Sequence, residues 1–141
     1  MSPTQPAHPL ALTMGDPAGC GPQITLAAWE MLKSDPASAF FVIGAPELYG
    51  DTAQVIASAD QAAGVFGTAL PVLPLAAPLP TITPGTPDGA SAAAIIESIE
   101  TAVALTRADE AGGVVTNPIS KAVLYAAGFK HPGHTEFLAA L

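Results

Sequence analysis

The chain has 141 residues, enough for one domain around one hydrophobic core, and half of them are hydrophobic. Twelve acidic residues against four basic ones give a formal charge of −8. Cations at Lys33, Arg107, Lys121 and Lys130 alone cannot track a phosphate backbone or an anionic membrane, so both are excluded as partners. Cys20 is the single cysteine, which rules out an intrachain disulfide and is compatible with a reducing, cytoplasmic setting.

The segment from Met1 to Pro9 has neither a basic start nor an apolar stretch, so it does not read as a signal peptide. Leu10 to Met14 is a short apolar run and reads as a buried strand. Gly15-Asp16-Pro17-Ala18-Gly19-Cys20-Gly21-Pro22 follows as a tight loop, with Pro22 suited to the first turn of a helix. Ile24, Ala27, Ala28, Met31 and Leu32 recur at helical spacing, and Ser34-Asp35-Pro36 ends that helix.

Ala39 to Ile43 is a second strand. Pro46 to about Ser58 reads as a second helix, and Ala69 to Leu73 as a third strand. No charge occurs from Gln61 to Pro87, but the prolines at 71, 74, 78, 80, 84 and 87 forbid a spanning helix there. Pro74 to Pro87 is extended, a connection or an edge excursion.

The longest helix comes next, capped by Asp88 or Ser91. Ala92, Ile95, Ile96, Ile99, Ala102, Val103 and Thr106 share one face, while Glu97 and Glu100 fall on the other side. Gly112-Gly113 stops it. Val114 to Thr116 reads as a strand, Ser120 to Ala127 as a helix closed by Gly128, and Leu138 to Leu141 as a first helical turn. Strands alternating with helices predict an α/β layered fold with a mainly parallel sheet.

In such folds ligands collect beyond the carboxyl ends of strands. The loop from Met14 to Pro22 sits there, with a backbone path set by glycine and proline and helix N–H groups beyond. It is neither a dinucleotide fingerprint nor a Walker loop, and read alone it is first a strand-to-helix turn without ligand. Cys20 within it has no neighbouring histidine or cation, which favours a structural thiol.

Thr116-Asn117-Pro118-Ile119-Ser120-Lys121 is the second such loop. Lys121 can neutralise a phosphate or carboxylate and Asn117 can donate and accept hydrogen bonds; the alternative is a solvated lysine one turn into a helix. The third segment, Gly128 to Phe137, holds His131, His134, Thr135 and Glu136. His134 can donate to a substrate oxygen, and Thr135 can bind substrate or cap the next helix. Too few histidines are present for a complete metal site within the chain.

Three stretches in this order resemble the 4-hydroxythreonine-4-phosphate dehydrogenase family of vitamin B6 biosynthesis. They are Leu12-Thr13-Met14-Gly15-Asp16-Pro17-Ala18-Gly19 with Gly21-Pro22, then Val115-Thr116-Asn117-Pro118-Ile119-Ser120-Lys121, then Ala127-Gly128-Phe129 with Pro132-Gly133-His134-Thr135-Glu136-Phe137-Leu138. The resemblance runs from about Leu10 to Leu141. It implies a fold like that of isocitrate and isopropylmalate dehydrogenases, truncated here, with residues 1–141 as the amino-terminal portion and the carboxy-terminal portion absent.

It also implies a cytoplasmic homodimer that uses NAD, with NADP as the alternative, and a divalent metal such as Zn, Mg or Co. The implied reaction is oxidation and decarboxylation of 4-phosphooxy-threonine, with phosphothreonate or phosphoerythronate as alternative substrates. His134 and Thr135 match the family's substrate-binding pair; Asp16, Asn117 and Lys121 are site-lining candidates. The family's metal ligands, three histidines, fall beyond Leu141, so the chain alone is expected to bind neither metal nor dinucleotide and to lack turnover. A non-catalytic binding domain for an anion or partner, or a remnant, is the reading from another class. Cys20, Gln23 and Asn117 depart from the family's usual residues.

Overall fold

A computed structural model describes residues 8–131 and 133–141. Five strands form one parallel sheet in the order β3-β4-β2-β1-β5, with β1 at Leu10–Thr13, β2 at Phe40–Gly44, β3 at Ala53–Val55, β4 at Leu70–Pro74 and β5 at Val114–Val115. The helices are α1 (Gly21–Leu32), α2 (Ala62–Val65), α3 (Ala92–Arg107), α4 (Lys121–Ala126) and α5 (His134–Ala140). This is the layered α/β sheet expected from the alternating pattern.

Strand alternation splits the core in two. Leu12, Phe40, Val42 and Val72 face one way and pack with Trp29 of α1 and with Phe66. Ala11, Phe41 and Ile43 face the other way and pack with Ala102 of α3. Phe41, Val42 and Ile43 are all fully buried, each contributing about 1.5–3 kcal/mol of transfer free energy. Both faces of β2 are therefore covered, as a parallel sheet requires.

The 19-residue stretch Gly89–Arg107 is apolar and long enough to cross a membrane by those criteria alone. Here Ala94, Ile95, Ser98, Ile99 and Ala102 are buried, which makes it a core helix. A third cluster joins Met14, at the end of β1, to Ile95 and Ile99 of α3, Leu124 of α4 and Phe137 of α5. That cluster holds the last two helices at the carboxyl end of the sheet.

Several local expectations are corrected. Pro46 to Ser58 is not a helix: a 3-10 segment at Pro46–Thr52 breaks at Gly50 (φ 60°), and β3 follows. Pairing with β4 overrides the helical pattern there. Of the periodic apolar set on α1, Ala28 packs against the core while Ile24, Ala27, Met31 and Leu32 are exposed, and the buried face carries Thr25 and Trp29. The Trp29 indole N–H donates to Phe66 O at 2.8 Å.

Glu97 is not a free solvent-side residue. Its carboxylate accepts from Ala76 N and Ala77 N, both at 2.7 Å, and so ties the Pro74–Pro87 connection to α3. Asp88 caps the 3-10 turn that leads into α3, accepting from Ala90 N, whereas Ser91 makes no side-chain cap bond. The last helix starts at His134 and not at Leu138, because Phe137 provides its buried anchor.

Candidate functional site

The loop after β1 and the loop after β5 interlock. Gly15 has φ +70°, and a Cβ there would lie 2.6 Å from Pro118 O and 2.7 Å from Asn117 Cβ, so only glycine fits. Asp16 N–H donates to Pro118 O at 2.9 Å. Its Oδ1 accepts from Ala18 N at 2.9 Å, while Oδ2 is enclosed with no partner. Asp16 is thus brought to the carboxyl end of the sheet and is buried.

Asn117 is buried as well, and its bonds go inward. Its backbone N–H donates to Thr13 Oγ1, and its Nδ2 donates to Thr13 O and Thr25 Oγ1, each at 3.0 Å. This side chain locks β1, α1 and the second loop together. Ser98 of α3 does the same from the opposite face: its hydroxyl accepts from Met14 N at 2.9 Å and donates to Ile43 O at 2.6 Å. Sequence reasoning missed Thr13, Thr25 and Ser98. The available signal was a hydroxyl residue amid apolar neighbours in a strand or on a helix face.

A cleft of about 420 Å³ opens beside this floor, lined by Pro17, Gly19, Gln23, Glu47 and Leu48 and closed by the Pro-rich connection. Tyr49 follows the lining residue Leu48; its hydroxyl lies 3.2 Å from where a Cβ on Gly44 would sit, buried without a partner, and that burial pushes it well above the usual tyrosine range. Cys20 is exposed at the start of α1, so it is not a buried structural thiol.

The second grouping forms where α4 meets α5. Ser120 caps α4, accepting from Val123 N, and Lys121 is the first residue of that helix. Gly133 precedes α5; a Cβ there would lie 3.6 Å from Lys121 Cε, 3.7 Å from Lys121 Nζ and 3.4 Å from Glu136 Oε2. His134 follows, half-buried, with Nε2 enclosed and unpartnered. Its imidazole is held below the ordinary histidine value, first by burial and then by the Lys121 ammonium.

Thr135 is exposed, one residue inside α5 and not at its cap. His131 stacks with Phe129 and Phe137 at ring distances of 5.3 and 5.2 Å. Lys121 and His134 are thus neighbours, and Asp16 and Asn117 are neighbours. Residues 118–120 join the two groups. No group of three or more His, Cys, Asp or Glu side chains among the described residues is arranged to hold a metal ion.

The family model for pyridoxal phosphate biosynthetic protein PdxA matches residues 36–141. A 4-hydroxythreonine-4-phosphate dehydrogenase from Methylorubrum extorquens is 52% identical over 143 residues, covering 95% of this chain and 41% of that protein. One from Bradyrhizobium diazoefficiens is 46% identical, covering 96% of this chain and 44% of that protein. The solved structure of the Klebsiella pneumoniae 4-hydroxythreonine-4-phosphate dehydrogenase superposes with a TM-score of 0.76 at 28% identity, over 94% of this chain and 44% of that one. The chain therefore spans less than half the length of these relatives.

Proposed function

The chain belongs to the family of pyridoxal phosphate biosynthetic protein PdxA, and from that premise we propose that it is the substrate-positioning part of a 4-hydroxythreonine-4-phosphate dehydrogenase. The observation that carries the reading is the pairing of Lys121 with His134 beside Gly133, at the carboxyl end of a parallel sheet, where α/β folds bind ligands. In this reading His134 donates to an oxygen of the phosphorylated hydroxy acid and the exposed Thr135 hydroxyl adds a second contact. Asp16 and Asn117 then act from beneath: Asn117 fixes the loop that presents Lys121, and Asp16 holds the turn against Pro118.

NAD and a divalent metal belong to the proposal through the family, as do the homodimer and the cytoplasm. The described residues of this chain do not by themselves fit a metal. Its first loop also lacks the spacing of a dinucleotide fingerprint. Bound nicotinamide and metal supply the electron acceptor and the polarisation of the alcohol. This chain's contribution is orientation, which makes a bimolecular encounter effectively unimolecular. We propose that the remaining contacts come from the part of the family polypeptide that relatives carry beyond the matched stretch.

Calorimetric titration of the 141-residue chain with 4-phosphooxy-threonine tests this. Saturable binding that disappears in His134→Ala, with no NADH formed when NAD is added, is the expected result. Binding unaffected by His134→Ala would reject the assignment, and NADH formation by the chain alone would reject the division of labour. Phosphothreonate and phosphoerythronate in the same titration rank the substrates.

A further inference from the structure

The Lys121 ammonium has no carboxylate in ion-pair contact: the only ion pair among the described residues is Glu30–Lys33 at 2.7 Å. The end of its side chain lies within van der Waals range of Gly133, with Cε at 3.6 Å and Nζ at 3.7 Å from where a Cβ would sit. On the other flank Glu136 Oε2 approaches the same point at 3.4 Å without pairing with the lysine. Next in sequence is His134, whose enclosed Nε2 makes no hydrogen bond. A lysine without an ion-pair partner thus lies against the backbone of Gly133, next to a histidine with an unpartnered ring nitrogen.

We propose that Lys121 is a substrate-binding residue: with the bare backbone of Gly133 and the imidazole of His134 it forms a single receptor for an oxyanion, the phosphate or the carboxylate end of the substrate. This rests on the reading of His134 as a substrate ligand and extends it to the residue that supplies the charge. A lysine is a compact point charge on a flexible stem, suited to meeting an anion whose position His134 fixes. The ammonium also disfavours a second positive charge on the ring beside it, so His134 serves as a neutral hydrogen-bonding group. Lys121 of α4 is the charged group that acts on that ring; Glu136 of α5 approaches the adjacent Gly133, and His131 on the preceding segment stacks with Phe129 and Phe137.

The test follows the His134 ring resonance by NMR in the 141-residue chain. Inorganic phosphate and acetate are added separately at constant ionic strength and pH 7.5. Wild type is expected to show saturable shifts, stronger for whichever of the two chemistries the site takes. Lys121→Gln is expected to weaken that binding at least tenfold, and Lys121→Arg to stay within about threefold. In the anion-free chain Lys121→Gln is also expected to raise the pH at which His134 titrates, which checks that the ammonium lies beside the ring.

If wild type binds either anion through His134 and Lys121→Gln binds it within twofold, the Lys121 proposal is overturned while the His134 reading stands. If neither anion perturbs His134 in wild type, both fall. Lys121 is exposed, so its replacement leaves the core intact.

Discussion

Asn117 makes three hydrogen bonds, two from its carboxamide, and almost none of it reaches solvent. Truncation would strand the Thr13 carbonyl and the Thr25 hydroxyl in a buried position. Asn117→Ala is therefore expected to lower unfolding free energy by about 2–4 kcal/mol, measured by urea denaturation. A loss below about 0.5 kcal/mol would show that water replaces the amide. The sequence marks Asn117 as able to donate and accept, and the structure shows its carboxamide donating twice, to the Thr13 carbonyl and the Thr25 hydroxyl. Nothing local could reveal that its partners sit 104 and 92 residues away. Lys121 and His134 were legible individually, by residue type and by their place near loops. Their meeting depends on how α4 and α5 pack on Met14, which no spacing encodes.

At the scale of elements, the strands at Leu10, Phe40 and Leu70 were readable because buried parallel strands are unbroken apolar runs. The helix at Ala92–Arg107 was readable from its period. The segment after Pro46 was not. Its residues tolerate a helix, and only the free edge of β4 recruits Ala53–Val55 as a strand.

The Pro-rich connection is legible as irregular from its prolines, but its anchor is not, since in sequence Glu97 looks like one more solvated charge. Two short, charge-assisted bonds from one carboxylate to consecutive amides hold it. Glu97→Ala is expected to cost about 1–2 kcal/mol. It should also accelerate hydrogen exchange at Ala76 and Ala77 relative to the strand amides of β2. Unchanged exchange at those two amides would mean that the connection is held by other contacts.

For the molecule as a whole, one face of the sheet is less covered than the other. Leu10 (41% exposed), Ile24 (47%), Leu32 (38%) and Val115 (45%) border a groove of about 580 Å³ between α1 and the β5 edge. Contiguous apolar exposure of this kind binds hydrophobic dyes and promotes association. The double substitution Ile24→Lys with Leu32→Lys is expected to reduce dye fluorescence and concentration-dependent light scattering. Unfolding free energy should move by no more than about 0.5 kcal/mol, as for other surface changes. Unaltered dye binding would place the apolar surface elsewhere. The composition could not show this, because an apolar residue at helical spacing looks the same whether it faces a core or a groove.

The bonds that join Thr13 to Asn117 also set an order of events. β1 is the first strand made, yet its flank on the β5 side is completed only by residues 114–117. Its other side can pair with β2 as soon as Phe40–Gly44 emerge. During synthesis the turn at Gly15 therefore waits, its glycine backbone unconfined, until residues 114–117 have left the ribosome. Closing a loop of that length slows folding more than it weakens the finished structure. The loop at the carboxyl end of β1 is thus completed late, and in refolding experiments Thr13 and Asn117 should gain amide protection after β2 and β4 have already done so.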